Sequence, residues 1–142
     1  MSDYTYKDNT QEVLSALEHA IGNGLTAIGF TAERHAKEII SEEQAVDTGR
    51  LRNSITFAIS GKKANIQSYK GDHGEDGGTY SGTAPESKDK CVYIGSGVKY
   101  AVGIELGIHR KKGAVHMLQR AATEHTEEYK QLMEDAIESA EE

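Results

Sequence analysis

Histidine is the first residue type to test for chemistry, because His19, His35, His73, His109, His116 and His125 supply six imidazoles. A zinc site needs such residues at a ligating spacing, as in HExxH or a closed His/Cys set, and neither spacing occurs. His35 and His125 instead fall on apolar helical stripes, where imidazoles serve as core or interface residues. The run Asp72-His73-Gly74-Glu75-Asp76-Gly77 has the composition of a calcium loop. It lacks the alternating ligands and the closing Glu at the twelfth position, and reads as a solvated loop. Gly95-Ser96-Gly97 follows a strand pattern like the start of a dinucleotide fingerprint, but Tyr100 stands at the third glycine place. There is no GxSxG elbow and no phosphate-cradling GxxxxGK[ST], and Cys91, the single cysteine, permits no intrachain disulfide. No catalytic residue, no cofactor and no metal are therefore expected, and Cys91 is expected to be a small buried strand residue.

The richest polar cluster is VDTGRLRNSI at 46–55. Asp47 or Thr48 can cap a short helical turn, Gly49 leaves little bulk at its start, and Leu51 and Ile55 put apolar groups on one face four residues apart. Arg50 and Arg52 are then either solvated or bonded to a carboxylate. Glu105, between Ile104 and Leu106, is the carboxylate expected to pair with them, since an acid among apolar neighbours is rarely buried alone.

These residues must be held by elements that the hydropathy pattern predicts. Asn9 with Glu12 three residues on marks a helix start, and Leu14, Leu17, Ile21, Leu25, Ile28, Ala32, His35 or Ala36, and Ile39 continue one apolar stripe to about Glu43. Such a helix is about 35 residues and roughly 50 Å long. Gly22, Gly24 and Gly29 inside it either weaken its middle, with a kink near Gly22 to Gly24, or admit a second backbone. Residues 54–60 alternate, with Ile55, Phe57 and Ile59 on one side, which predicts a half-buried strand. Further strands are expected around 64–69 and at 91–95. The Gly-, Ser- and Asp-rich stretch between them, which holds the single Pro85, predicts a long flexible loop at 70–90. From Ala114 a final helix carries Val115, Leu118, Ala121, Ala122, His125, Tyr129, Leu132, Met133 and Ile137. The expected fold is α+β: one domain over 1–142, with a long N-terminal helix, a small antiparallel sheet and a C-terminal helix.

Composition limits the function classes. The chain has 142 residues, 37% apolar and 27% charged, with no Trp and a mean hydropathy of −0.61, which fits one soluble core. No apolar run approaches the roughly 20 residues of a membrane span, and MSDYTYKDN has no signal-peptide stretch, so a cytoplasmic site of synthesis and no membrane partner are expected. The net charge is −7, and residues 123–142 carry it, with eight acids against Lys130 alone. A general nucleic-acid binder would show a basic face. Only His109-Arg110-Lys111-Lys112 is basic, and Arg110, Lys111 and Lys112 are its candidates for partner or DNA contact.

Three segments in order carry a resemblance: VDTGRLRNSI at 46–55, VYIGSGVKYAVGIELG at 92–107 and AVHMLQRA at 114–121, all after the long amphipathic helix. With these, the chain resembles the head-tail joining, neck or tail-completion proteins of long-tailed bacteriophages. Ala45 stands where that family usually has proline, and the usual Pro-Phe before the last helix is missing. The resemblance implies a virion structural protein without catalysis, assembled in the host cytoplasm as a homo-oligomeric ring of six copies at the head-tail interface. It further implies portal-side or head-completion proteins on one side, tail terminator or tail tube proteins on the other, and DNA passing through without specific binding. The pattern residues Asp47, Thr48, Gly49, Arg50, Leu51, Arg52, Tyr100, Glu105 and Gly107 are then residues of folding and contact. An acidic last helix lining the channel would repel passing DNA. An assembly chaperone or a DNA-contacting adaptor is the alternative, and a small hydrolase ranks last.

Overall fold

The computed structural model describes residues 10–43, 49–64, 67–68, 79–80, 82–108 and 110–141. Asn9, Asp47, Thr48 and His109, together with residues 70–78 and 81 of the stretch expected to be a flexible loop, lie outside these residues.

Helix α1, Thr10–Glu42, is 33 residues long, close to the expected length, and is the beam on which everything else rests. At its C-terminal end sits the main core, where Ala36, Ile39 and Ile40 meet Leu51, Ile55, Val98, Ala101, Val115, Met117 and Ala121. Ile40, Ile55 and Met117 are fully buried, each worth about 2 kcal/mol of transfer free energy. Along its middle α1 packs on a two-stranded antiparallel sheet of β1, Thr56–Ile59, and β4, Val92–Gly95, in which Phe57 faces Ile94 and Ile59 faces Val92. The last helix runs back antiparallel along α1: Glu128 lies beside His35, while Ala136 lies beside Gly24. The α+β fold expected from the sequence is the fold found.

The glycines of α1 act by close approach. A Cβ on Gly29 would run into the Phe57 ring, and one on Gly24 would lie 2.6 Å from Met133 Sδ. Gly22 has nothing within 4 Å, and its carbonyl accepts a bond from Thr26 Oγ1 at 2.9 Å. Helix α1 continues through all three as one element.

Several expected boundaries differ. The corner helix α2, Arg50–Ser54, occupies the start of the segment read as strand, and β1 is buried on both faces, Thr56 and Ala58 as well as Phe57, because α1 covers one side and the 82–85 segment reaches the other. Within the 70–90 stretch lies strand β3, Thr79–Tyr80, which pairs with β2, Gln67–Ser68, as a second small sheet. Lys63 bridges Thr83 and buries Ala64 with Ala84, so this part is built ladder rather than open loop. Helix α3, Ala101–Leu106, had no periodic signal because six residues complete too few turns. The single final helix is two, α4, Met117–Thr123, and α5, Thr126–Glu141, separated at Glu124 and His125. Cys91 is half-buried just before β4, not a buried strand residue.

Candidate functional site

The corner and the glycine-rich segment of the resemblance meet in space. Gly49, at φ 85°, opens α2 and has no side chain with which to cap it; Asp47 and Thr48, the expected caps, lie outside the described residues. Ser54 Oγ donates to the Leu51 carbonyl at 2.6 Å, so its remaining capacity is to accept, and Ser96 Oγ donates to it at 2.5 Å. Ser96 in turn accepts the Val98 N–H at 3.0 Å. This buried chain of hydroxyls ties the RLRNS turn to GSGV, while Leu51 and Ile55 pack with Val98 and Ala101. Ser96 thus has a structural partner in the place where a dinucleotide fingerprint would hold phosphate. The sequence singled out Arg50 and Arg52, but the serine four residues after Arg50 makes the link; its only signal was a small polar residue ahead of an apolar run.

Glu105 is positioned differently from the expected pair with Arg50 or Arg52. Its carboxylate accepts the N–H of Leu118 at 2.9 Å and of Gln119 at 3.1 Å. These are exposed donors of the first turn of α4, which begins after His116 without a side-chain cap of its own. Glu105 therefore serves as the cap from another helix, where its charge also opposes the positive end of the α4 dipole. The correction has a simple cause: a carboxylate among apolar residues needs donors, and main-chain donors at a helix start satisfy it as well as a guanidinium does. Gly107 makes the approach possible. It ends α3 at φ 75°, and a Cβ there would stand 2.5 Å from the Ala114 nitrogen. The strands of chain on either side are pinned by Val115 N–H to the Ile104 carbonyl at 3.0 Å and His116 N–H to the Glu105 carbonyl at 3.2 Å. Arg110 is drawn into the following turn, donating from Nη1 to the Gly113 carbonyl at 2.7 Å, whereas Lys111 and Lys112 are exposed.

The titratable cluster of the molecule lies between α1 and α5. The rings of His35 and His125 stack face to face with centroids 3.5 Å apart, and His35 Nε2 is 2.5 Å from Glu128 Oε1. His35 Nδ1 faces Glu38 Oε2 at 3.5 Å, and Arg34 stands 3.9 Å from Glu128. The His35 hydrogen bond, against some desolvation, holds the Glu128 carboxyl below its ordinary range. Tyr129 closes the cluster by donating to the Ala121 carbonyl, with its phenol pushed up to about 12 mainly by burial. His35, His125 and Glu128 could bring three ligand atoms within 4.8 Å of one another. Parallel stacked rings, however, send their lone pairs along parallel lines, and two ligands on a tetrahedral zinc sit roughly 3.3 Å apart rather than at hydrogen-bond length. The arrangement is a seam between helices held by ring stacking and a His35–Glu128 hydrogen bond.

One open cavity near the sheet, about 260 Å³, is lined by Thr56, Phe57, Ala64, Ala84, Tyr93 and Ser96 among others, and Tyr93 is its one ionisable side chain. What the described surface does present is apolar area. Val13, Leu14 and Leu17 on α1 and Tyr100, Val102, Leu106 and Ile108 around α3 are all exposed. No helix is long and apolar enough to cross a membrane among the described residues. The chain matches no protein-family model, no curated protein and no solved structure.

Proposed function

We propose that this chain is a structural virion protein of a tailed bacteriophage, part of the head-to-tail connector, acting as an oligomeric ring through which DNA passes. The observation that carries the reading is that the described residues of two segments of the resemblance, 49–55 and 92–107, build one core joined by Ser54 and Ser96, while apolar side chains of α1 and α3 remain on the surface. Residues with chemical potential have structural partners: Glu105 caps α4, Arg110 braces a turn and His35 joins two helices. That supports a role in folding and contact over catalysis. In a ring, the charge of the C-terminal helix would keep DNA from adhering to any wall it lines.

The test is copy number in place. Phage necks isolated from lysates and stripped of capsid and tail should contain the chain at six copies, visible as a ring by negative-stain microscopy. Its absence from finished particles would sink the reading in favour of an assembly chaperone, and release of the chain from necks by salt-sensitive DNA exchange would favour a DNA-contacting adaptor.

A further inference from the structure

We infer that two opposite ends of this molecule are complementary to each other, so that the α3 corner of one copy seats on the N-terminal turns of α1 in the next. The inference rests on the ring reading above and adds the two faces that meet. Helix α3 packs Ala101 and Ile104 against Ile39 at the far end of α1, roughly 35 Å along the helix from Leu14. Its outer side leaves Val102 58%, Leu106 57% and Ile108 50% exposed, with Tyr100 beside them. Val102 and Leu106 are four apart and share a face. The rim of this patch in sequence is basic: Lys99, Lys111 and Lys112 are exposed.

At the other end, Val13 is 56% and Leu14 47% exposed, with Leu17 one turn further on, and the charged residues on these turns are Glu12 and Glu18. The last turns of α5 lie alongside, where Ala136, Ser139 and Ala140 meet Ala16, His19 and Ala20, and they add the exposed Asp135 and Glu138. Among the described residues each end thus has an apolar centre and a charged rim, and the two rims differ in sign. Apolar area alone would fit any apolar partner. The opposite rims select a second copy of this chain, because like charges facing across an interface are costly and unlike ones steer the encounter. Unlike ends meet in an antiparallel two-fold pair and in a head-to-tail contact alike, and the head-to-tail contact is the one that repeats around a ring.

The experiment uses full-length chains in sedimentation across a concentration series. The wild type should self-associate. Lys111→Glu with Lys112→Glu, and separately Glu12→Lys with Glu18→Lys, should each weaken association roughly tenfold, the equivalent of about 1.4 kcal/mol. An equimolar mixture of the two variants should recover it, because reversed ends match each other and untouched ends match each other. Recovery on mixing cannot come from misfolded chains, and far-UV circular dichroism checks each variant alone. Leu106→Ser tests the apolar centre and should weaken association without altering helix content. A wild type that remains monomeric throughout, variants that associate like wild type, or a mixture no better than its components overturns the contact. The ring reading itself fails on a different result, the absence of the chain from isolated necks.

Discussion

At the scale of single residues, the side chains that organise this protein work through main-chain groups. Glu105→Ala should remove the cap of α4 and cost about 1–2 kcal/mol in urea unfolding, with Glu105→Gln recovering part of it. Because Glu105 bonds to Leu118 and Gln119, its effect should add independently to that of Arg50→Ala or Arg52→Ala, and a coupling of 1 kcal/mol or more in a double-mutant cycle would show that the cap is misassigned. The glycines of α1 make an opposed pair. Gly29→Ala drives a methyl into Phe57 and should destabilise by about 1–3 kcal/mol, while Gly22→Ala meets open space and should stabilise by about 0.5–1 kcal/mol through helix propensity. Thermal melts of the two variants check both signs. That Gly24 and Gly29 needed a reason was legible in the sequence, since three glycines in one helix are expensive. Which of them faces a neighbour was not, because the neighbours, Phe57 and Met133, lie 28 and 109 residues further along.

At the scale of elements, the long stripe of α1 and the alternation at 54–60 that holds β1 were legible from period, and a strand at 91–95 was expected where β4 lies. Of the short elements, the turn at the 46–55 corner is α2 and the strand expected around 64–69 contains β2, whereas α3, of six residues, completes too few turns to show a period and the two residues of β3 have no alternation to read. The break between α4 and α5 is invisible for another reason: the apolar stripe runs on in step across Glu124 and His125. That break brings His125 onto His35 and makes the α1–α5 seam sensitive to acid. Glu128 has its pKa lowered by the His35 hydrogen bond, so its stabilising share is present above the unfolded carboxylate value of about 4.5 and is lost as pH falls through the lower folded value. Glu128→Gln should therefore flatten part of the stability loss below about pH 4.5 and change the curve little between pH 6 and 8. Denaturant midpoints measured across pH for both chains give the comparison, and identical acid limbs would remove Glu128 from the seam's account.

At the scale of the whole molecule, one helix carries the core at its C-terminal end, a sheet on its middle and a returning helix along its length. Charge and apolar exposure are divided between its two ends, which the sequence held only as an acidic tail and a four-residue basic run. Their placement at opposite poles needed the antiparallel return of α5. The apolar centres should also be measurable without any partner: at low protein concentration Tyr100 and Tyr93, both exposed, should be open to surface modification, and Tyr100 alone should become protected as concentration rises. Equal protection of both, or of neither, would place the contact elsewhere.

The antiparallel seam between α1 and α5 has a consequence for synthesis. Helix α1 leaves the ribosome with its stripe complete, yet the helix that covers it, ending near Glu141, starts 84 residues after Glu42. At roughly 5–20 residues per second, that interval is about 4–17 s, a long time for a nascent chain to hold Leu25, Ala32 and His35 without their final neighbours. Nearly every tertiary contact of the seam is also distant in sequence, as with His35 and Glu128, 93 residues apart, which slows its closure after release. A nascent chain stalled after Thr123 should accordingly be held by cellular chaperones, and one allowed to finish through Glu141 should be let go.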